Sequence, residues 1–374
     1  MVTTSILLFT LDLRLEDHPA LTAAAAEGAV IPLFVWDGSP GGKRPIGGAS
    51  RWWLAESLAA LSRELVERGS RLVLRSGDVA DAALAVAEAT GARSVHMSRA
   101  YEVGGARKTK ALEAKLQAKG IALTVHPGRL LLEPEALRTK GGEPFRVFTP
   151  FYRAALATGL FDRLLAVPRL QAPKTWPKSD RLEDWTLKPT RPDWAKGFGA
   201  AWRPGEQGAA KRLEVFVDGP LRDYSELPNR PENDGDSRMS PYLHFGHLSA
   251  HEVFHAVMQR EGWLGEVPRG GRGARAGWWG VSPEAEGFLD QLVTWRELGA
   301  NACAYLPAYD TYGSLPAWAR ATMAKHADDV RDPSYSRAEL DAATTYDAIW
   351  NAAQRELRQD GRLHNYLRML WGKK

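Results

Sequence analysis

The first 130 residues alternate short apolar, β-rich runs with longer helical patterns. The apolar runs predict strands at 5–10, 30–35, 71–74 and 94–96. The helical patterns lie between and after them, at 51–68, 80–90 and 107–119. Strand and helix in turn, joined by short loops, predict a Rossmann-like α/β domain with a parallel sheet covered on both faces. No Gly-x-Gly-x-x-Gly motif follows the first strand, so the sequence does not indicate a dinucleotide site there.

The rest of the chain divides into a connector and a helical region. From residue 131 to about 205 the sequence is rich in Pro and Trp and has no sustained period, which predicts a long interdomain connector. From 206 to 374 the pattern is nearly all helical. The 374 residues, 44% hydrophobic and 25% charged, suit a soluble protein with two domains that each bury a core.

Charge and cysteine content indicate which partners and which cellular compartment suit the protein. A net charge of +4 and a pI near 9.1 fit a nucleic-acid surface, although a modest excess of Lys and Arg is also an ordinary solvated exterior. A single cysteine, Cys303, excludes an internal disulfide and a cysteine-rich zinc site, which favours a reducing compartment. No apolar run approaches the roughly 18 residues of a membrane span. We therefore expect a cytoplasmic protein without a metal site or a membrane partner.

The end of the chain, from Trp350 to Lys374, predicts two helices joined at Gly361. Strong helix formers run to an Asp-Gly pair that suits a left-handed helix stop, and a second helix is expected to begin near Arg362. On that helix Asn365 and Met369 share one face, and Arg368 and Trp371 share a neighbouring one.

His364 to Met369, reading His-Asn-Tyr-Leu-Arg-Met, together with Trp350-Asn-Ala-Ala, resembles the flavin-domain signature of the photolyase and cryptochrome family. For the segment alone, an ordinary amphipathic helix with a basic tail is the alternative. The resemblance implies an antenna-type α/β domain at 1–130, a connector at 131–205 and a helical FAD-binding domain at 206–374. The turn at 11–21 resembles the arginine-rich turn of the family, whose first domain often holds a folate or deazaflavin pigment.

A candidate cofactor segment lies between Tyr224 and Pro241. Ser240 followed by Pro241 predicts a helix N-cap with a first-turn proline, and the free N–H groups of such a helix end suit a diphosphate. In the family this segment cradles FAD. The resemblance therefore implies that the cofactor is bound by Tyr224, Asp236, Ser237, Arg238, Met239 and Ser240. Asp236 stands where a threonine or serine is common, and an ordinary capped helix is the alternative.

A helix predicted at 286–302 carries Trp295-Arg296-Glu297, which resembles a family landmark whose arginine lies against the flavin. The resemblance makes Arg296 and Arg368 further cofactor candidates. Photolyases place a glutamate on this helix to bind the damaged base, and the corresponding turns here contain Gln291. An amide cannot supply an ionised carboxylate, which favours a light sensor over repair.

The predicted lesion pocket combines Asn365 as an amide donor, Met369 as a polarizable wall, and Gln291 and Trp295. Photolyases for the six-four photoproduct carry histidines at the positions of Asn365 and Met369, so a cyclobutane pyrimidine dimer is the expected substrate. Trp350 and Trp371 match two members of the tryptophan chain of class II photolyases. Family members usually run several helices further, so we expect either a chain truncated after Lys374 or an incomplete cofactor site.

Two further segments each allow two interpretations. Gly142 to Phe151 resembles the substrate-side loop of the family, or packs two domains together. The basic, glycine-rich stretch 269–280 contacts DNA phosphates, or is a flexible surface insertion.

The resemblance as a whole implies a monomeric photolyase that binds UV-damaged DNA and uses reduced FAD and blue light to split the dimer. One alternative is a cryptochrome-like flavin photoreceptor without repair activity. The other is a flavin-free nucleic-acid-binding remnant.

Overall fold

The first part of the computed structural model is a five-stranded parallel sheet. The structure describes residues 3–39, 45–145, 147–157, 164–226, 230–263, 277, 279–306, 308–330 and 332–373. The strands are β1 (Thr3–Phe9), β2 (Gly28–Trp36), β3 (Val73–Ser76), β4 (Ser94–Ser98) and β5 (Ala122–His126). Their order is β3-β2-β1-β4-β5, and every pairing is parallel. The predicted parallel sheet is confirmed.

Helices cover both faces of this sheet. They are α1 (Pro19–Glu27), α2 (Gly48–Glu67), α3 (Val79–Thr90) and α4 (Val103–Gln117). Because side chains alternate along a strand, Ile6 and Leu8 of β1 pack in one core with α3 and α4, and Leu7 and Phe9 pack in another with α1 and α2. The near-continuous apolar sequence of β1 is what a strand buried on both faces requires.

Two elements of this half are absent from the prediction. α1 is capped by the ring of His18, whose Nδ1 accepts from the N–H of Leu21 at 3.2 Å. Histidine is a rare cap, so the usual start signal is missing. β5 is an edge strand, and three of its five residues are exposed, so it lacks the long apolar run of a central strand. The predicted third strand is also displaced, since β3 begins at Val73 rather than at residue 71.

The connector is not wholly irregular. It contains α5 (Phe148–Ala157), α6 (Phe198–Ala201) and short 3-10 turns at Pro134–Ala136 and Leu182–Trp185. In α5, Phe151 and Tyr152 lie in the core, with 1% and 3% of their surface exposed. The packing alternative therefore describes Phe151 of the predicted segment 142–151, while Arg146 lies outside the described residues.

The second half is helical, as predicted. Its helices are α7 (Glu206–Asp218), α8 (Ser240–His244), α9 (Ala250–Arg260), α10 (Pro283–Leu289), α11 (Arg296–Tyr305), α12 (Ala317–Lys325), α13 (Arg337–Ala342), α14 (Ala348–Asp360) and α15 (Asn365–Lys373). The single helix predicted at 286–302 is divided, because a π-helical turn, Asp290–Trp295, separates α10 from α11. Gly361 ends α14 in the predicted left-handed conformation, with φ 63°. Among the described helices, none has the length and apolar content to cross a membrane.

A buried arginine joins the two halves. The side chain of Arg14 is 1% exposed and donates to the carbonyls of Asp17 and Gly128 at 2.7 Å, Glu16 at 3.0 Å and Gly246 at 3.3 Å. Nearby, the N–H of Leu13 donates to the carbonyl of Phe245 at 3.0 Å. The turn after β1, the start of the connector and the end of α8 are thus held together, and the core on the α2 face of the sheet continues into α7, α9 and α10.

Candidate functional site

A short loop, residues 234–240, carries most of the predicted cofactor residues. The guanidinium of Arg212 on α7 donates to the backbone carbonyls of Asp236 at 2.6 Å and Ser237 at 2.8 Å. Met239 is buried, with 1% of its surface exposed, whereas Ser240 is exposed. The loop backbone is therefore fixed by a side chain of α7, and a ligand would meet Met239 through its backbone.

The helix that follows this loop begins differently from the prediction. Met239 takes the cap position of α8, with helical angles of φ −87° and ψ −14°, and no side chain caps this end. Ser240 is the first helical residue, so its prediction as the N-cap is wrong. α8 has only five residues, so few peptide dipoles add up at its N-terminus. The positive charge of this region comes instead from arginines.

Three arginines surround the loop. Arg238 and Arg362 both form ion pairs with Asp234, at 2.7 Å and 3.0 Å. The buried Nε atoms of Arg238 and Arg362 have no hydrogen-bond partner among the described residues. Burial, with the positive charge of Arg238 as a further cause, lowers the pKa of Arg212. Unsatisfied N–H groups and crowded positive charge are both features that a phosphate group would stabilise.

Tyr224 lies beside this loop, after a 3-10 turn at Pro220–Asp223. Its ring packs edge-on against Phe216 at 5.6 Å and Phe288 at 5.4 Å between centroids. Burial raises the pKa of Tyr224 to about 12, and the negative charge of Asp236 acts in the same direction. The hydroxyl therefore stays protonated at neutral pH and remains a hydrogen-bond donor.

Helix α15 presents the predicted lesion-facing residues to the surface. Met369 is 60% exposed and Tyr366 is 53% exposed, while Asn365 is partly buried. Arg368 donates to Oδ1 of Asn365 at 2.5 Å. This bond occupies the oxygen of the Asn365 amide and leaves its NH2 group directed elsewhere as a donor.

The loop and α15 meet directly. Asp236 accepts from the backbone N–H of Asn365 at 3.1 Å, across 129 positions of sequence. Two residues that the sequence assigns to different tasks, Asp236 to the cofactor and Asn365 to the lesion, are thus in contact.

Trp350 and Trp371 form a stacked pair. Their rings lie 6.3 Å apart between centroids with an interplanar angle of 5°. Nε1 of Trp350 donates to the carbonyl of Trp371 at 3.2 Å, and Nε1 of Trp371 donates to Gln354 at 2.8 Å. Trp350 is buried, with 3% exposed, and Trp371 is partly buried. The two predicted members of a tryptophan chain are therefore neighbours with fixed orientations.

Gln291 and Trp295 lie on the π-helical turn, and Arg296 is the first residue of α11. Gln291 is exposed, and Trp295 is 59% exposed. Arg296 donates to Glu297 at 2.6 Å and to the carbonyl of Arg129. Its hydrogen bonds thus run to its neighbour on α11 and to the segment after β5, and its role toward a cofactor stays a prediction.

Glu297, the last residue of the Trp-Arg-Glu motif, anchors the connector. Its carboxylate is 2% exposed and accepts from the N–H groups of Leu131 and Leu132, both at 3.2 Å. Burial raises the pKa of Glu297 to about 7, although these bonds and the charge of Arg296 oppose the shift. The glutamate of this motif therefore has a structural task.

Three residues of this site are missing from the sequence-based assignment: Arg212, Asp234 and Arg362. Arg212 lies on a helix with an ordinary polar pattern, so nothing local distinguishes it. Asp234 and Asp236 are two residues apart in the same loop. That spacing is the only local signal that both carboxylates face the same side of the loop.

A cleft opens at the carboxyl ends of β1, β2 and β4. Phe9, Phe34 and Met97 line it, together with Lys108 of α4. Lys108 forms an ion pair with Asp37 at 2.5 Å. The strand order reverses direction between β1 and β4, and open α/β sheets bind ligands at such a point.

The basic stretch 269–280 falls mostly outside the described residues, which include only 277, 279 and 280 of it. Trp279 is fully buried and packs against Phe254 at 5.3 Å. This indole is therefore part of the core rather than a surface that could stack on a base.

Comparisons with known proteins place the similarity along the whole chain. A family model described as DNA photolyase matches residues 5–174. The deoxyribodipyrimidine photo-lyase of Agrobacterium fabrum is 37% identical over 373 residues, which cover 98% of this chain and 71% of that protein. Cryptochrome-2 of Arabidopsis thaliana is 33% identical over 267 residues, covering 69% of this chain and 43% of that protein. A solved class III photolyase from Agrobacterium tumefaciens superposes with a TM-score of 0.83 at 36% identity, over 99% of this chain and 72% of that chain.

Proposed function

Because this chain belongs to the family of DNA photolyases and cryptochromes, we propose that it is a light-driven, FAD-dependent lyase that splits cyclobutane pyrimidine dimers in DNA. The observation that carries the proposal is the direct contact between the 234–240 loop and α15, through Asp236 and the N–H of Asn365. A cofactor bound at the loop would lie beside the helix that presents Asn365 and Met369.

The residues around the loop fit the phosphates of FAD. The unpaired Nε atoms of Arg238 and Arg362 supply two charge-assisted donors. Arg212, which donates to the carbonyls of Asp236 and Ser237, adds positive charge next to the loop. Tyr224 supplies an aromatic face and a protonated hydroxyl at the same place. We assign cofactor binding to Tyr224, Asp236, Ser237, Arg238, Met239 and Ser240, and to Arg296 and Arg368 as in the family. When bound in its reduced form, FAD supplies the electron that light transfers to the lesion.

The exposed face of α15 suits a damaged pyrimidine pair. Enzymes that act on a base within a duplex, photolyases among them, draw it out of the stack, and a damaged base costs less to extract. The NH2 group of Asn365 would donate to pyrimidine carbonyls, and Met369 would offer a polarizable apolar wall. Trp295 is exposed and could stack on a base, and Gln291 would supply an amide. The net charge of +4 favours DNA as a partner, with the protein acting as a monomer.

Trp350 and Trp371 are proposed to carry an electron toward the cofactor site. Parallel rings 6.3 Å apart are close enough for one indole to re-reduce the other after it has lost an electron. A thiol in solution would finally reduce the outer indole. The sequence separation of these two residues matches the class II chain, whereas the superposed structure is a class III photolyase, so the subclass stays a prediction.

The cleft at the strand ends is proposed to hold an antenna pigment, a folate or a deazaflavin. Phe9, Phe34 and Met97 give it aromatic and apolar walls, and because its volume is about 40 Å³ these side chains would have to move to admit a ring system. The Asp37–Lys108 pair supplies a polar edge at the rim.

A cryptochrome-like photoreceptor is the second candidate. Gln291 favours it, since an exposed amide replaces the carboxylate expected of a repair enzyme, and the similarity to Arabidopsis cryptochrome-2 agrees with this reading. Asn365 and Met369 favour repair.

The test is loss of cyclobutane dimers from a damaged oligonucleotide under blue light, with purified protein reconstituted with reduced FAD. Repair that falls at least about tenfold in Asn365→Ala and stays unchanged in Trp318→Ala, an exposed control on α12, would support the proposal. Normal flavin absorbance without dimer loss would favour the photoreceptor. Failure to bind flavin, with retained affinity for damaged DNA, would favour the nucleic-acid-binding remnant and overturn the proposal.

The tryptophan pair has its own test. Trp371→Phe should slow photoreduction of the bound flavin while leaving its affinity unchanged, and Trp318→Phe should change neither. An unchanged photoreduction rate in Trp371→Phe would remove the pair from the electron path.

A further inference from the structure

Asp236 accepts a hydrogen bond from the first N–H group of α15, a helix that begins 129 residues later. The first N–H groups of any helix lack partners within that helix. In α15 the N–H of Asn365 donates to Oδ2 of Asp236 at 3.1 Å, and the N–H of Tyr366 donates to Nδ1 of His364 at 3.2 Å. The cap of this helix is therefore shared between a local side chain and one from the 234–240 loop.

His364 directs its remaining N–H toward the same carboxylate. A backbone N–H can only donate, so Nδ1 of His364 must be the acceptor and Nε2 carries the proton. His364 is 1% exposed, and its Nε2 has no hydrogen-bond partner among the described residues. The nearest acidic atom is Oδ1 of Asp236, at 3.9 Å. Both oxygens of Asp236 thus face the start of α15.

A second acid of the loop reinforces this contact. Asp234 accepts from Arg238 within the loop at 2.7 Å and from Arg362, before α15, at 3.0 Å. Arg362 also lies 3.8 Å from Glu356 on α14. Asp234 is half-exposed, so its ion pairs are weaker than the partly buried bond of Asp236.

We infer that Asp236 is a positioning residue, which fixes α15 against the cofactor loop and thereby sets where Asn365 and Met369 face the substrate. A carboxylate at a helix N-terminus is favourable both as a cap and through the helix dipole. The contact between Asp236 and α15 does not depend on the proposed function. Its effect on how Asn365 and Met369 meet the substrate rests on that function. Asp236 thus has a task in addition to the cofactor contact proposed above.

Amide hydrogen exchange tests the contact without cofactor or substrate. Asp236→Ala should speed exchange of the amides of Asn365 and Tyr366 roughly five- to tenfold, the effect expected for loss of a helix cap. Asp236→Asn keeps an oxygen that can accept from Asn365, so its exchange should stay close to that of the parent protein. Asp218→Ala, at the exposed end of α7, is the matched control and should change neither amide. Unchanged exchange in Asp236→Ala would overturn the inference.

Kinetics with the reconstituted protein separate positioning from cofactor binding. If Asp236 positions α15, Asp236→Ala lowers kcat/KM for a dimer-containing oligonucleotide about tenfold when the variant is compared at saturating flavin, and Asp236→Asn restores most of it. A loss of flavin affinity without faster amide exchange would leave Asp236 with cofactor binding alone and overturn the inference. If the parent protein repairs no dimers, the proposed function fails, and the exchange experiment still decides whether Asp236 holds α15.

Discussion

The sheet half and the last helices differ in how completely they bury apolar side chains. In β1, five consecutive residues are buried, and α2 buries ten of its twenty. α12 and α13 bury none of theirs. Trp318 is 73% exposed, Tyr346 is 70% exposed and Met369 is 60% exposed.

The sheet half therefore provides most of the stability of the fold, and the last helices carry residues proposed to bind cofactor and DNA. Most of the free energy of folding comes from burial, so it is concentrated in the sheet and in its junction with α7 to α10. The residues proposed to meet cofactor and DNA lie on helices and loops held by individual polar bonds, such as those of Arg212 and Asp236. Substitutions at the junction should therefore unfold the protein, while those on the exposed helices should leave the fold intact.

The largest effect is expected for Gly246→Ala, at the junction. A Cβ atom there would lie 2.4 Å from the carbonyl oxygen of Leu11 and 2.4 Å from Cα of Asp12, and the glycine has φ 70°. We expect a loss of about 4 kcal/mol or more in the free energy of unfolding, since the obstructing atoms are backbone.

Gly262→Ala is the matched control. Gly262 also has φ 70°, but no atom lies within 4 Å of its added Cβ. Strain alone should cost about 1–2 kcal/mol. Equal midpoints of urea unfolding for the two variants would show that the close approach at the junction contributes nothing.

Arg14→Met should have the next largest effect. The change keeps the volume of the side chain but leaves the carbonyls of Asp17, Gly128 and Gly246 without their donor in a buried place. We expect a cost of about 3 kcal/mol. Arg181→Met is the control, since its side chain is 75% exposed and only 3.8 Å from Glu183. Similar denaturation curves for both variants would contradict the prediction.

The junction should also respond to pH through Glu206. Its carboxyl group accepts from the N–H groups of Leu15 at 2.9 Å and Glu16 at 2.8 Å. Burial raises the pKa of Glu206 to about 7, with the nearby Glu64 acting in the same direction, from an ordinary value of 4.5. The folded protein thus holds a proton that the unfolded chain has released, and stability is lost as pH rises from about 4.5 to about 7.

Glu206→Gln should reduce the loss in the free energy of unfolding over this pH range by an amount on the order of 2 kcal/mol. The measurement is the free energy of unfolding in urea at several pH values between about 5 and about 8. Burial also raises the pKa of Glu252 to about 7, so part of the slope should remain. Parallel pH profiles for variant and parent would exclude Glu206 as a source of the dependence.

The smallest effect is expected for Trp318→Ala on α12. An indole that is 73% exposed should contribute about 0.5 kcal/mol or less to the free energy of unfolding. Trp53→Ala is the contrast, because this indole is 6% exposed and donates to His247 at 3.1 Å. Its removal should cost about 3–5 kcal/mol. A comparable loss for Trp318→Ala would mean that α12 is packed more firmly than its exposure indicates.

Local patterns in the sequence predicted much of the architecture. The strands β1, β2 and β4, the helices α2 to α4 and the stop at Gly361 follow from apolar periodicity and from the conformations that Gly allows. The failures have physical causes. α1 starts at a histidine cap, α5 forms because Phe151 and Tyr152 are buried by distant residues, and the cap of α8 falls on Met239.

The candidate site was predictable only in part. Tyr224, Asp236 and Asn365 carry motifs, but the contact between Asp236 and Asn365 depends on how two segments 129 residues apart are packed. Arg212 and Arg362 have no local signal, because their importance comes from carbonyls and carboxylates that other segments bring to them.

The sequence by itself determined most of the strands and helices of the first half, and which residue types are available for flavin and DNA. Those properties depend on the repeat of side chains along one segment. Only the tertiary structure decided that the arginine after β1 lies at the centre of the junction, that Arg296 bonds to the carbonyl of Arg129, and that a carboxylate of the loop caps α15. Hydrogen bonds and desolvation act between groups that are close in space, and that closeness is set by the packing of the whole chain.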